Sequence, residues 1–145
     1  MKPALPDVNV WLALSIPQHA FHEAASVWFN DVTERSLLFC RSTQQGLLRL
    51  LTTAAVVTPY SLTPLSNRQA IARIGEVLAD ERIDLVGEPK GMEEQWMRFA
   101  DSKQASPKLW MDAYLAAFAH TGGYRLVTID KAFKQFQGVD VQLIR

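Results

Sequence analysis

Cysteine is almost missing from this chain. The single Cys40 excludes an internal disulfide framework and a cysteine-rich zinc site. No apolar run approaches the roughly 18 residues that a membrane-crossing helix needs. The opening stretch is not a secretory signal either: it carries one lysine, then Pro3 and Pro6, with Asp7 and Asn9 breaking up its apolar residues. A cytoplasmic protein without a membrane anchor is therefore the expectation. An excess of either charge is missing too. Fifteen Lys and Arg balance fifteen Asp and Glu, which argues against a tail-driven nucleic-acid binder and leaves room only for a local basic groove. There is no repeat, no low-complexity tract and no linker long enough to divide the chain. What is present is ordinary for a globular protein. Across 145 residues, 48% are hydrophobic and 21% charged, enough for one domain, 1–145, with a core that needs no staples.

Short apolar runs alternate with amphipathic stretches. Residues 4–14 (ALPDVNVWLAL) read as a short strand ending near Asp7 and a helix from about Val8. Pro3 and Pro6 argue against a central position for that strand, since neither donates to a ladder. His19 to Glu34 has helical apolar spacing, Ser36–Cys40 (SLLFC) reads as a buried strand, and Thr43–Thr52 as a helix with its leucines inward. Thr63-Pro64 and Ser106-Pro107 each combine a capping hydroxyl with a first-turn proline. The first predicts a helix to about Ala79, the second a helix through LWMDAYLAAFAH that stops at Gly122-Gly123. A helix over Met92–Ala100 and strands at Ile83–Val86, Arg125–Ile129 and Val139–Ile144 complete an α/β pattern with a mainly parallel sheet. The run from Glu76 to Glu94 holds seven acids and two bases, and reads as a solvated face whose sign repels nucleic acid.

Open parallel sheets bind ligands beyond the carboxyl ends of their strands. Asp7 closes the first strand and Asp130 closes RLVTI. Asp112 lies two turns into the preceding helix, on a face otherwise rich in small and apolar residues. Asp7 and Asp130 each also read as helix N-caps. Asp112 is costly to bury unless it is paired or bound to metal. Three converging carboxylates repel one another and need a cation, and an oxygen-only cluster suits Mg²⁺ or Mn²⁺. In the absence of metal, mutual repulsion is expected to raise the pKa of at least one of them.

Four segments in order resemble the motifs of PIN-domain ribonucleases of the VapC toxin type: Asp7–Leu14 (DVNVWLAL), Gly46–Thr52 (GLLRLLT), Asp112–Ala117 (DAYLAA) and Leu126–Asp130 (LVTID). The resemblance covers nearly the whole chain. It implies a PIN-like three-layer fold, a mostly parallel sheet of four or five strands flanked by helices. It also implies Mg²⁺- or Mn²⁺-dependent hydrolysis of RNA phosphodiesters, restraint by a VapB-type antitoxin, and a homodimer. Asp7, Asp112 and Asp130 take the positions of catalytic metal ligands, with Asn9 and Thr128 in support. One departure stands out. Where the second motif usually has a glutamate, three residues before Arg49, this chain has Gly46. Glu34 and Asp31 do not match that position. Either Gln44 or Gln45 is a candidate neutral oxygen donor in its place, and weaker metal binding is expected.

Arg41, Arg49, Lys108, Lys131 and Lys134 flank these motifs as candidate RNA-phosphate contacts. His19 and His22 read as a solvent-facing pair, His120 as a surface residue near a helix C-terminus, and Cys40 as a small buried hydrophobe. The four tryptophans read as core or interface residues rather than base-stacking platforms. Two rival functions stay open: a PIN-like module that binds an antitoxin or RNA without catalysis, and a phosphotransferase using Asp7 as nucleophile. The second is disfavoured by Asn9, which stands where a D-x-D acid/base residue would be.

Overall fold

The computed structural model describes residues 2–32 and 36–145. Five short strands, β1 (Ala4–Pro6), β2 (Leu37–Cys40), β3 (Ile83–Val86), β4 (Arg125–Thr128) and β5 (Val141–Leu143), form one sheet in the order β3-β2-β1-β4-β5. Every pairing is parallel. Seven α-helices occur among the described residues: α1 (Val8–Ser15), α2 (His22–Asp31), α3 (Arg41–Leu51), α4 (Ala54–Val57), α5 (Asn67–Leu78), α6 (Met92–Ala100) and α7 (Leu109–Gly122). Single 3₁₀ turns follow α4 and β4.

Successive strand residues point to opposite faces, and this divides the core in two. Ala4, Leu37, Phe39 and Val127 pack with α1, α2, α3 and α5. Leu5, Leu38, Cys40 and Leu126 pack with α6 and α7. Covered on both sides, β2 needs no polar alternation, and all four residues of its LLFC run are buried. The result is the expected three-layer α/β arrangement.

Contrary to the proline argument, β1 is the central strand. The Ala4 N–H donates to Ser36 O on the β2 side at 2.6 Å, and the Asp7 N–H to Val127 O on the β4 side at 2.9 Å. By alternation the missing Pro6 N–H faces β2. There the register with β1 is Ala4 on Leu37, whereas β1 and β4 pair over three residues. The proline therefore falls where the ladder has already ended.

Several helix starts also move. Residues before His22 form turns rather than helix, and the expected end of that helix at Glu34 lies outside the described residues. The third helix begins at Arg41, because the Thr43 side chain accepts from the Cys40 N–H at 3.1 Å and closes a capping box. The cap of α5 is Ser66, not Thr63. Its hydroxyl accepts from the Gln69 N–H while the Gln69 side chain accepts from the Ser66 N–H. A turn at Ser106–Lys108 precedes α7, which places Asp112 in the first helical turn rather than two turns in. Gly123, at φ +72°, supplies the left-handed residue that ends α7. The acidic run is mostly exposed, though Asp80 is held by Arg82 at 2.8 Å.

Candidate active site

Strand order reverses at β1 and β4, which lie side by side while the chain continues outward in opposite directions. A crevice at the carboxyl ends of two such strands is the usual ligand position in a parallel sheet. Asp7 follows β1 directly and Asp130 lies two residues beyond β4. Asp112 comes from α7, where the positive end of the helix dipole favours its charge. All three line one cavity of about 160 Å³, together with Asn9, Ser42, Gly46, Arg49 and Lys108.

Asp7 is only 3% exposed. One carboxyl oxygen caps α1, accepting from the Asn9 N–H at 2.8 Å and the Val10 N–H at 3.2 Å. The other accepts a short hydrogen bond from the Thr128 hydroxyl. Thr128 is fully buried, and its oxygen in turn accepts from the Asp130 N–H at 2.9 Å. One threonine thus ties the ends of β1 and β4 together. Asp130 caps the following 3₁₀ turn through Ala132 N–H at 2.9 Å, and its second oxygen stands 3.7 Å from Lys108 Nζ. Asp7 and Asp130 are therefore caps and cavity residues at once, because each carboxylate has two oxygens to use.

Burial pushes the Asp7 carboxyl up to about 6, against the downward pull of the Thr128, Val10 and Asn9 hydrogen bonds, and the charge on Asp130 adds to the rise. Asp112 is also raised, again chiefly by burial. Lys108 lowers it and Asp130 raises it. The expected rise is present, but desolvation rather than mutual repulsion is its main cause.

The donor chemistry suits a hard divalent cation. Asn9 and Ser42 line the cavity beside the three aspartates, and the charge on Asp7 is held at a cost that a nearby cation would relieve. Among the described residues, no three His, Cys, Asp or Glu side chains are drawn together tightly enough to ligate one ion by themselves. The set fits magnesium-like coordination, in which one or two protein carboxylates are completed by water and substrate phosphate.

Not all the predicted residues reach the cavity. Gln44 and Gln45 do not line it: Gln45 is exposed, and the Gln44 side-chain oxygen accepts from Arg41. A helix turns 100° per residue, so neighbours of Gly46 in sequence point elsewhere. Arg41, Lys131 and Lys134 are exposed outside it, whereas Arg49 and Lys108 line it. Ser42, Met111 and Phe133 were missed. Ser42 had a legible signal, since it lies two residues beyond the carboxyl end of β2 as Asp130 lies two beyond that of β4. Gly46 does line the cavity, and a Cβ there would stand 3.1 Å from a Val8 methyl.

The remaining candidates have structural roles. His19 and His22 are half-buried rather than a solvent-facing pair: His19 Nδ1 accepts from the Phe21 N–H and His22 Nδ1 bonds Ala13 O at 2.7 Å. His120 is exposed on Gly138 O, and Cys40 is fully buried. Trp11 stacks on Phe39 in the core at 4.1 Å, while Trp110 is 52% exposed.

The PIN domain sequence profile matches residues 4–139. Ribonuclease VapC41 of Mycobacterium tuberculosis is 49% identical over 142 residues, covering 97% of this chain and 97% of the relative. Among solved structures, VapC20 of M. tuberculosis, a sarcin–ricin loop cleaving toxin, superposes with a TM-score of 0.66 at 18% identity over 94% of this chain and 98% of its own. VapBC-1 of nontypeable Haemophilus influenzae gives 0.67 at 12% identity over 97% and 96%. These two likenesses carry the fold alone, and the sequence matches carry the family. With the acidic crevice at the switch between β1 and β4, they assign the chain to the PIN-domain family.

Proposed function

We propose that this protein is a metal-dependent endoribonuclease, the toxin of a VapBC-type toxin–antitoxin pair, acting as one domain over residues 1–145. The observation that carries the proposal is a buried, raised Asp7 sharing a small cavity with Asp112 and Asp130 at the sheet's switch point, in a chain half identical to a ribonuclease. PIN-domain ribonucleases generally depend on a divalent metal. In this chain the ion would be Mg²⁺ or Mn²⁺, held among Asp7, Asp112 and Asp130, with one or two of them as direct ligands and water and substrate phosphate completing the set. What such an ion supplies is activation of water at neutral pH and neutralisation of charge at the phosphorus.

The chain's own residues do the rest. Thr128 ties the Asp7 carboxylate to the backbone N–H of Asp130, so the two aspartates are held in place before RNA arrives. Asn9 adds a neutral oxygen at the cavity wall. Lys108 rests against Asp130 and has the reach to transfer to a substrate phosphate, and Arg49 offers a second cation at the same cavity. The partners expected with this reading are RNA, a VapB-type antitoxin and a second copy of the chain. The expected compartment is the cytoplasm, in keeping with the lack of any helix long and apolar enough to cross a membrane among the described residues.

The test is cleavage of RNA by the purified protein with Mg²⁺, Mn²⁺ or EDTA, beside Asp112→Asn. Cleavage that needs the metal and Asp112 supports the reading, and cleavage persisting in EDTA overturns it. Gly46 motivates a second reading, a PIN module that binds RNA or antitoxin without catalysis. Absence of cleavage at saturating Mn²⁺ would favour it.

A further inference from the structure

Beside the acidic cavity lies a second one of about 210 Å³, lined by Ser42, Trp96, Trp110, Met111 and Tyr114. Ser42 and Met111 line both, so the two cavities lie side by side. Resting on the ribonuclease reading above, we propose that this aromatic cavity is a nucleobase subsite, which takes an unstacked base of single-stranded RNA next to the phosphate held at Asp7, Asp112 and Asp130.

Its walls are built for a flat apolar ring. Trp96 and Tyr114 meet edge to face, with centroids 5.2 Å apart at 85°. The Trp96 indole N–H donates to Trp110 O at 2.9 Å, and the Tyr114 hydroxyl donates to Glu88 at 2.7 Å. The polar ends of both rings are occupied, so the faces they present are fixed and apolar. Trp110, by contrast, is 52% exposed and Met111 60%. Large apolar side chains left open at a cleft mark a surface that something covers. Unstacked RNA bases settle on aromatic faces of this kind, and proteins that read single-stranded RNA use them so. The shared wall with the acidic cavity, and the Arg49 and Lys108 cations that line that cavity, favour RNA over a second copy of this chain.

The experiment is a protein–RNA mutant cycle on an oligoribonucleotide that the protein cuts. Abasic nucleotides are placed in turn at each position flanking the cleaved bond, and the full chain is compared with Trp110→Ala and Met111→Ala. Stacking one base is worth roughly five- to 150-fold. Trp110→Ala should raise KM within that range with little change in kcat. One abasic position should weaken wild type equally, and that position should cost Trp110→Ala nothing further. Independent losses at every position overturn the subsite. So does a Trp110→Ala protein that becomes monomeric and loses activity only through dissociation, since the patch would then be a contact between copies. Quenching of tryptophan emission by single-stranded RNA hexamers separates the two proposals. Quenching that Trp110→Ala abolishes in a protein that cuts nothing keeps the subsite and rejects the nuclease. Cleavage without such quenching rejects the subsite alone, and absence of both rejects both.

Discussion

Replacing Asp7 by asparagine should make the free protein more stable at neutral pH while abolishing its activity. Asp7 is 3% exposed, and burial lifts its carboxyl from an ordinary 3.8 to about 6. At about 1.36 kcal/mol for each unit of pKa, keeping it ionised above pH 6 costs the fold roughly 3 kcal/mol. Asparagine removes that charge and keeps the oxygen that caps α1 through Asn9 and Val10. It leaves the buried Thr128 hydroxyl without its acceptor, which costs about 1–3 kcal/mol. A gain of up to about 2 kcal/mol remains, or up to roughly 8 °C in melting temperature for a domain of this size. The pH dependence identifies the cause. Between pH 3.8 and 6 the folded state holds a proton that the unfolded chain has released. Wild-type stability therefore falls as pH rises through that window and is level above it. The variant lacks this component, so the two proteins should melt closest together near pH 4 and furthest apart at pH 8. Added Mg²⁺ should raise the wild type, by RT ln(1 + [L]/Kd), and raise the variant less. Melting curves at pH 4, 6 and 8 check this. A variant below wild type at pH 8, or a gap that ignores pH, would refute the argument that a buried charge is held here at a cost.

Other outcomes follow from the same geometry. Thr128→Val removes the hydroxyl that joins Asp7 to the Asp130 N–H in a fully buried position; denaturant unfolding should show a loss of about 1–3 kcal/mol, and carboxyl NMR should show Asp7 titrating higher still. Gly46→Glu supplies a fourth carboxylate, but its Cβ would press on Val8 at 3.1 Å; calorimetry should find tighter Mn²⁺ binding for Gly46→Glu combined with Val8→Ala than for wild type. Trp11 buries an indole N–H without a hydrogen-bond partner; Trp11→Phe should therefore cost less than about 1 kcal/mol, well under the usual price of shrinking a core aromatic, as read from the denaturant midpoint. Lys108→Ala removes the ammonium that lowers Asp112 and faces Asp130; the Asp112 titration should move up, and RNA binding should become less dependent on salt.

Local sequence determined the elements where one physical cause acted alone. The LLFC run is buried on both faces and could be nothing but an inner strand. Gly123 had to end α7 because a left-handed residue was needed there. Asp7 and Asp130 were legible because each follows the carboxyl end of a strand; Asp112 reaches the same edge because α7 starts only at Leu109, which puts it in the first helical turn. What failed depended on which partner each group met, near or distant in sequence. Pro6 argued against a central strand, yet whether its missing N–H mattered turned on where β2 stopped pairing, thirty residues away. Ser66 displaced Thr63 as a cap because Gln69 could reach back to it. Gln44 and Gln45 stood beside the right helix position, but only the angle at which α3 docks on α1 sets which side chains enter the cavity, and it admits Gly46 and Arg49. The same docking decides the chemistry of Asp7. Its identity and place after β1 are written in the sequence; its burial, its short bond to a threonine 121 residues on and its raised pKa exist only once β1 and β4 lie together, because desolvation belongs to the assembled crevice and to no single segment.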